Sequence, residues 1–340
     1  MREFYILLLF VVAGSFYILF FGENFYSSSQ ELTVKKELLP KRNIYYLKTH
    51  KTGSTTMLNM IFRLAIKEEL KIGFPKLKLK GRTNYICKHV PFKPSCIDEV
   101  QYNVIANHHV WSPEIDRVLP NATKITILRE PISQFVSAFE YFGKSVFGFD
   151  GKSPTAAALE KYIERTSPSL SEINNQSTKN KKARIAENTQ NPMAFDLGLS
   201  YMYKTKTEDD LGEWLVDYYD LVMITEYFDE SLILLKELMK LEFTDIVYLK
   251  SNSNKKKKFS EDNLSKETKA RLYYRERVDD ALYKHANRTL WKKIEKFGHE
   301  KMKQEVKQLQ IHCDNIVDDH FMRLGEWEAM AYMRKLQEDY

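Results

Sequence analysis

Short apolar runs alternate with stretches of helical periodicity along most of the chain. Four runs have the length of a strand and end in polar residues, namely NIYYLK (43–48), YNVIA (102–106), KITIL (124–128) and LVMIT (221–225). Apolar residues then recur at helical spacing from Met57 to Ala65, and we predict further helices over about 132–142 and 229–241. Strands that alternate with helices predict an α/β fold, in which helices flank a mainly parallel central sheet.

Polar residues gather at the points where the predicted strands end. The segment Lys48 to Thr56 follows the first strand, Asn107 to His109 follows the second, and Arg129 follows the third. Ligands of open parallel sheets bind outside the carboxyl ends of the strands. We therefore expect these three segments to meet in one site.

Outside these units the pattern changes. Residues 143–204 are polar, and we predict an irregular or helical insertion over the site. The four-lysine run 255–258 has the composition of a solvated loop, and a rim that attracts anions is the alternative. From about residue 261 onward the chain is rich in helix formers. We assign a catalytic domain to 43–300 and a helical extension to 301–340.

The N-terminal segment 4–21 is apolar and carries no charge. It is nearly long enough to span a bilayer core, so we predict a transmembrane signal-anchor, with a cytoplasmic tail at 1–3 and a stem at 22–42. A cleaved signal peptide is the alternative. The apolar run is longer than the usual core of such a peptide, and no small-residue cleavage site follows promptly.

Four N-x-[ST] sequons predict glycosylation in a secretory compartment: Asn121, Asn175, Asn263 and Asn287. Together with an N-terminal anchor they favour a type II topology with a lumenal body. The three cysteines do not make a disulfide scaffold. A Cys87–Cys96 bridge, with Cys313 free or intermolecular, and three reduced thiols remain as alternatives.

The net charge of the chain favours some classes of binding partner over others. The 340 residues carry 52 Lys+Arg and 46 Asp+Glu, a net charge of +6. Such a mild basic excess suits an anionic cofactor or a membrane surface. It is too weak and too dispersed to indicate nucleic acid.

The loop THKTGSTT (49–56) has the parts of an anion site. Gly53 permits close backbone approach, and the hydroxyl residues at 54–56 begin a helix, whose N-terminus favours an anion. Lys51 adds a positive charge. It precedes the glycine, and GxxxxGK does not occur, which disfavours an ATPase or kinase. An ordinary turn would explain Gly53 and a capping hydroxyl, but not the cations crowded beside them.

A second anion element follows the third strand. Arg129 stands at the strand end, Pro131 suits the first turn of a helix, and Ser137 lies eight residues beyond the arginine. The arginine and the serine together could hold one phosphate through charge-assisted hydrogen bonds.

Combined, the two elements resemble the cofactor motifs of sulfotransferases. Several segments narrow the resemblance to the galactose-3-O-sulfotransferase family: LKTHKTGSTT, the His108–His109 pair, ILREP with SAFEYF, NPMAFDLG (191–198), ITEYFDESLILLK (224–236) and ALYKHANRTLWKK (281–293). The resemblance covers about 44–298. It implies a P-loop-like three-layer domain in a type II Golgi membrane protein. It also implies 3′-phosphoadenosine-5′-phosphosulfate (PAPS) as the sulfate donor, and no metal.

The resemblance assigns roles to individual residues. The residues that would hold the donor are His50, Lys51, Thr52, Gly53, Ser54, Thr55, Thr56, Arg129 and Ser137. Lys51 would also stabilise charge on the leaving oxygen. His108 or His109 would take the acceptor proton, because strand alternation points one of them inward, and His50 could assist. Asn191 and Asp196 would contact the sugar, or else cap and turn the chain.

The function predicted from the sequence is sulfuryl transfer from PAPS to the 3-hydroxyl of a terminal galactose on a glycolipid or glycoprotein glycan. The membrane is a partner through the anchor, and a homodimer is left open. The segment after His109 and the lysine-rich stretch after Tyr248 depart from the family pattern, which puts the acceptor in doubt. Another carbohydrate hydroxyl, a lumenal kinase-like enzyme and a non-catalytic glycan-binding protein remain as alternatives.

Overall fold

The computed structural model describes residues 42–76, 85–87, 90–97, 101–148, 154–174, 189–249, 260–316, 320–324 and 326–338. These residues belong to one compact unit, Arg42–Tyr340. The predicted tail, anchor and nearly all of the stem lie outside the described residues, as do the sequon at Asn175 and the run 255–258. Among the helices that are described, none combines the length and apolar character needed to cross a membrane.

The central sheet has four parallel strands in the order β2-β1-β3-β4. They are β1 (Ile44–Leu47), β2 (Val104–Asn107), β3 (Thr123–Leu128) and β4 (Leu221–Ile224). Every residue of β1, β2 and β4 is buried, as expected of strands covered by helices on both faces. Both the predicted strands and their parallel arrangement are confirmed.

Helices account for most of the remaining described chain. The helices are α1 (Ser54–Lys67), α2 (Glu114–Val118), α3 (Pro131–Phe147), α4 (Ala156–Thr166), α5 (Leu170–Asn174), α6 (Pro192–Asp196), α7 (Leu199–Met202), α8 (Glu208–Tyr218), α9 (Phe228–Met239), α10 (Phe243–Ile246), α11 (Lys266–Arg275), α12 (Arg277–Phe297), α13 (His299–Asp314), α14 (His320–Arg323) and α15 (Glu326–Glu338). The predicted helices after β1, β3 and β4 are confirmed. Helix α3 continues past its predicted end through a kink at Gly143 (φ 49°, ψ −133°). The described part of the predicted insertion is helical.

The sheet order reverses at β1. The chain passes from β1 to β2 on one side of it and then returns to β3 on the other side. A crevice opens at the carboxyl ends of the strands at such a reversal, which is where ligands of open α/β sheets bind. The loop after β1 lies at this point, between the polar ends of β2 and β3.

The C-terminal helices pack on the same core as the sheet. Met302, Leu309 and Met330 are buried in the cluster that also contains the strands. The side-chain amide of Asn107, at the end of β2, donates to the Met330 sulfur at 2.9 Å. The stretch predicted as an extension therefore packs against the sheet-containing core.

A disulfide joins Cys87 to Cys96, with their Cα atoms 5.4 Å apart, and Cys313 is a buried thiol outside this bridge. The bridged alternative is therefore confirmed. The bridged segment continues the sheet beyond β2, since the Ile86 N–H donates to the His108 carbonyl at 2.9 Å. This pairing brings Tyr85 next to His108, and their stacked ring centroids are 5.2 Å apart.

Candidate active site

The two predicted anion elements meet at the switch in the sheet. The guanidinium Nη1 of Arg129 donates to the backbone carbonyl of Lys51 at 3.2 Å. Lys51 (φ 61°) and Gly53 (φ 75°) both have left-handed backbone. Backbone that alternates in this way turns successive N–H groups toward one concavity and makes an anion nest. Gly53 adopts this conformation without the strain that a side chain would add.

Helix α1 begins without a side-chain cap, because its N-cap residue is Gly53. The Ser54 hydroxyl is directed elsewhere and donates to the Thr49 carbonyl at 2.7 Å. The buried Thr52 hydroxyl also bonds within the loop, 2.9 Å from that of Thr49. Thr55 and Thr56 are partly exposed. An uncapped N-terminus beside a cationic loop differs from an ordinary capped turn and suits an anionic ligand.

Lys51 supplies a titratable cation at this loop. Its ammonium lies 3.8 Å from the ring centroid of Tyr141, on α3. Burial lowers the pKa of Lys51 to about 8, and repulsion by Arg129 and Lys48 adds to the shift, while Glu140 opposes it. An added anion would offset that repulsion and favour the charged form.

Arg129 presents an unused donor. Its Nε is buried and has no hydrogen-bond partner among the described residues, since the nearest carboxylate oxygen, on Glu226, is 3.9 Å away. Burial also lowers the pKa of Arg129, with Glu226 opposing. Ser137 is partly exposed on α3. A partly buried guanidinium whose buried Nε is an open donor fits the phosphate role that the sequence predicts.

The two adjacent histidines point to different surroundings. The His109 Nδ1 lies 3.0 Å from the Asn107 carbonyl and must donate to it, so Nε2 accepts from the Tyr45 hydroxyl at 2.9 Å. Its ring also packs edge-on against Phe92, and burial lowers the pKa of His109 to about 4. His109 is thus a satisfied core residue in this arrangement.

His108 lies on the loop side. Its Nε2 is 3.0 Å from the Lys48 ammonium, which can only donate. Its Nδ1 is buried without a hydrogen-bond partner in the described chain. Burial lowers the pKa of His108 well below its usual value, and the charge on Lys48 adds to the shift. His108 is therefore the member of the pair beside the anion loop, and it is neutral near pH 7.

His50 is held by Asp196, at the end of α6. The carboxylate accepts from the His50 backbone N–H at 2.8 Å and lies 2.8 Å from Nδ1. The opposite ring nitrogen, Nε2, is 2.5 Å from the Tyr85 hydroxyl. The His50 ring stacks on His108, with centroids 4.1 Å apart. Sequence reasoning named His50 and Asp196 separately and missed Tyr85.

Asn191 is fully buried, and its side chain joins α6 to α12. Its amide oxygen accepts from the backbone N–H groups of Val278 and Asp279 at 3.0 and 3.1 Å. In return, the Asp279 carboxylate accepts from the N–H groups of Met193 and Ala194 at 3.0 and 2.7 Å. In the described structure Asn191 acts in helix capping, the second of its two predicted roles. A sugar contact by Asn191 stays a prediction.

His50, His108 and Asp196 bring candidate metal-ligand atoms within 4.8 Å of one another. Two of these residues are already engaged with each other, and the Lys48 ammonium occupies Nε2 of His108. A cation there would have to displace or repel that ammonium. The predicted absence of a metal stays a prediction.

A groove of about 190 Å³ runs beside the first turns of α1. Thr55, Thr56 and Arg63 line one side of it, and Tyr248 lines another. The groove adjoins the anion loop and combines polar and aromatic walls. It could receive the organic part of a ligand whose anionic end occupies the loop.

The described sequons differ in exposure. Asn121 and Asn263 are exposed, whereas Asn287 lies within α12 with its amide oxygen buried. Occupancy at each site stays a prediction, and the geometry favours the first two.

Comparisons with known proteins identify the family of the chain. A family model described as galactose-3-O-sulfotransferase matches residues 6–323. Galactosylceramide sulfotransferase from Mus musculus is 34% identical over 282 residues, which cover 80% of this chain but 62% of the relative. Galactose-3-O-sulfotransferase 2 from Sus scrofa is 32% identical over 281 residues, covering 80% and 67%. The chain therefore belongs to the galactose-3-O-sulfotransferase family.

Proposed function

We propose that this protein transfers a sulfuryl group from PAPS to the 3-hydroxyl of a terminal galactose on a glycolipid or glycoprotein glycan. The observation that carries the proposal is the contact between Arg129 and Lys51, which merges the two anion elements into one site. Family membership and the names of the relatives support the reaction type. The chain spans about 62% of the length of the galactosylceramide sulfotransferase that it matches.

The residues at the switch point fit a donor with two separate phosphate positions. The left-handed loop, the N–H groups at the start of α1 and Lys51 would hold the phosphosulfate. Arg129, through its open Nε, and Ser137 would hold the 3′-phosphate. The groove along α1 would take the nucleoside.

The donor supplies an activated sulfur whose bond to a phosphate oxygen breaks during transfer. Lys51 lies where it can stabilise the negative charge that grows on that oxygen. His108, directly after the end of β2, stacks on His50, and in this proposal the acceptor hydroxyl approaches from the side of these two rings. The site thus has separate groups for the leaving phosphate and for the entering hydroxyl.

The direct test is transfer of labelled sulfate from PAPS to a series of glycans, followed by linkage mapping of the product. We expect sulfation at the 3-hydroxyl of terminal galactose. Lys51→Ala and Arg129→Ala should abolish it, whereas Arg117→Ala, at an exposed ion pair on α2, serves as the matched control.

Transfer to a different hydroxyl would show that the proposed acceptor position is wrong. Retention on immobilised adenosine 3′,5′-bisphosphate that ATP competes would favour the kinase-like alternative. Retention without any transfer would favour a glycan-binding protein.

We also propose that residues 4–21 anchor the protein as a single-pass type II Golgi membrane protein with a lumenal body. The apolar N-terminal run and the exposed sequons Asn121 and Asn263 support this. Protease protection and glycosidase sensitivity in isolated Golgi membranes would test it. Sedimentation of the detergent-solubilised protein would decide between a monomer and a homodimer.

A further inference from the structure

We propose that Tyr85, His50 and Asp196 form the path by which the acceptor hydroxyl loses its proton, with Asp196 as the positioning residue that fixes the His50 tautomer. This inference rests on the proposed sulfuryl transfer and assigns its proton-accepting group. Of the three, Tyr85 was not a candidate on sequence grounds, and Asp196 was expected to contact sugar.

The tautomer follows from the partners of His50. A carboxylate can only accept hydrogen bonds, so the 2.8 Å contact to Asp196 places the proton on Nδ1. In the neutral imidazole, Nε2 then carries the lone pair, and the Tyr85 hydroxyl, 2.5 Å away, donates to it. The phenol oxygen that donates this proton can accept another from an incoming hydroxyl. The three groups therefore align in one direction, from Tyr85 toward Asp196.

Burial decides which end of the path meets the substrate. His50 is 4% exposed and Asp196 is 2% exposed, whereas Tyr85 is partly exposed. An acceptor hydroxyl therefore reaches Tyr85 and not the imidazole itself. Tyr85 touches the reacting group in this scheme, and Asp196 acts only through His50.

His108 is less suited to this role. Its Nε2 lone pair faces the Lys48 ammonium at 3.0 Å, so that nitrogen is already an acceptor. Its ring instead supports His50 through a stacked contact at 4.1 Å. The sequence analysis gave proton acceptance to His108 or His109. In this scheme His50 accepts the proton, and His108 holds the His50 ring in place.

Asp196 is itself fixed from the far side of α6. Asp279 accepts from the two N–H groups at the start of this short helix, and Asn191 ties that start to α12. Asp196 is the last residue of the same helix. A carboxylate held in this way can keep the imidazole in one orientation during turnover.

The transfer exchanges one bond between sulfur and oxygen for another. The acceptor oxygen forms a bond to sulfur, and the bond between sulfur and the bridging phosphate oxygen breaks, leaving its electron pair on the bisphosphate. The acceptor proton moves to the Tyr85 oxygen while the Tyr85 proton moves to Nε2 of His50. The resulting imidazolium is stabilised by Asp196. The same path run backward returns the proton to solvent after product leaves.

The test compares Tyr85→Phe and Asp196→Asn with the intact protein. Both should lower kcat by roughly 100-fold or more, the usual contribution of a positioned acid–base group, and leave the KM for PAPS and the affinity for adenosine 3′,5′-bisphosphate unchanged. Tyr203→Phe and Asp245→Asn are matched controls, because they remove comparable hydrogen bonds away from the site. Both controls should keep kcat.

A second readout does not depend on activity. Nitrogen-15 NMR of labelled histidine, assigned with His50→Gln, should show the Nδ1–H tautomer of His50 in the intact protein. In Asp196→Asn the amide should turn a donor toward the ring and shift His50 to the Nε2–H tautomer. Normal kcat in Tyr85→Phe, or an Nε2–H tautomer in the intact protein, would overturn the relay alone. No sulfate transfer by the intact protein would overturn the proposed function together with the relay.

Discussion

The Arg129 guanidinium donates to the carbonyl of Lys51, a residue 78 positions earlier in the chain. The contact joins the ends of β1 and β3, which are neighbours in the sheet. It also holds the anion loop and the second cationic element at a fixed separation, as a ligand with two anionic groups requires.

The first prediction concerns Arg129→Ala. Loss of its buried charged donor should weaken adenosine 3′,5′-bisphosphate binding by roughly 10- to 100-fold, the usual range for hydrogen bonds to a charged group. Isothermal titration calorimetry measures this directly, and Arg117→Ala should bind as tightly as the intact protein. Equal affinity in Arg129→Ala would remove Arg129 from the donor site.

The second prediction is a pH dependence of donor binding. Because burial lowers the pKa of Lys51 to about 8, this lysine is protonated at neutral pH and loses its charge as the pH rises through that value. The bound anion needs the charged form, so the affinity for PAPS should fall as the pH rises above about 8. Lys51→Arg should remove the dependence, since arginine stays charged. A flat profile in the intact protein would contradict it.

The third prediction concerns stability at Glu276. Burial raises its pKa to about 7, with Arg275 opposing, so the folded protein holds this proton more tightly than the unfolded chain does. Glu276 therefore contributes fully to the stability of the folded state below its pKa in the unfolded chain, near 4.5. This contribution to stability is lost as the pH rises through about 7. The thermal midpoint of the intact protein should drop across that window relative to Glu276→Gln. Parallel curves for the two proteins would show that Glu276 does not titrate there.

The fourth prediction concerns the disulfide. The Cys87–Cys96 bridge closes the segment that carries Tyr85 to His108. The double variant Cys87→Ser/Cys96→Ser should lose kcat and thermal stability but keep bisphosphate affinity, because Lys51 and Arg129 lie on other elements. Dithiothreitol should reproduce the loss in the intact protein and add nothing in the variant. If bisphosphate affinity fell as much as kcat, the bridge would support the donor site as well as Tyr85, against the prediction.

The fifth prediction is that chelators leave sulfate transfer intact. The Lys48 ammonium already occupies Nε2 of His108, which a metal would need as a ligand. Transfer rates with and without EDTA, after dialysis against metal-free buffer, provide the measurement. A loss that added zinc restores would instead place a metal among His50, His108 and Asp196.

Local sequence patterns were enough to predict the sheet and the position of the anion loop at its edge. The strands are buried apolar runs, and the sites at their ends follow from parallel topology, so Lys51 and Arg129 could be placed without tertiary information. The sequence could not decide which of His108 and His109 lies in the site, because that depends on which face of the chain after β2 contacts the loop. The sequence could not predict Tyr85 as a site residue either. Its position depends on pairing with His108 through a bridged segment that lacks a strand pattern.

The reversal of the sheet at β1 would give the two halves of the proposed reaction separate structural supports. In the proposed reaction, Arg129 binds the donor on the β3 side, whereas Tyr85, beside the Cys87–Cys96 bridge, takes the acceptor proton on the β2 side. A chimera that carries the bridged segment 85–97 from a relative could acquire the acceptor selectivity of that relative while its affinity for the nucleotide stays unchanged. With the roles proposed here, the acceptor side of the site could change in sequence while the donor side stays the same.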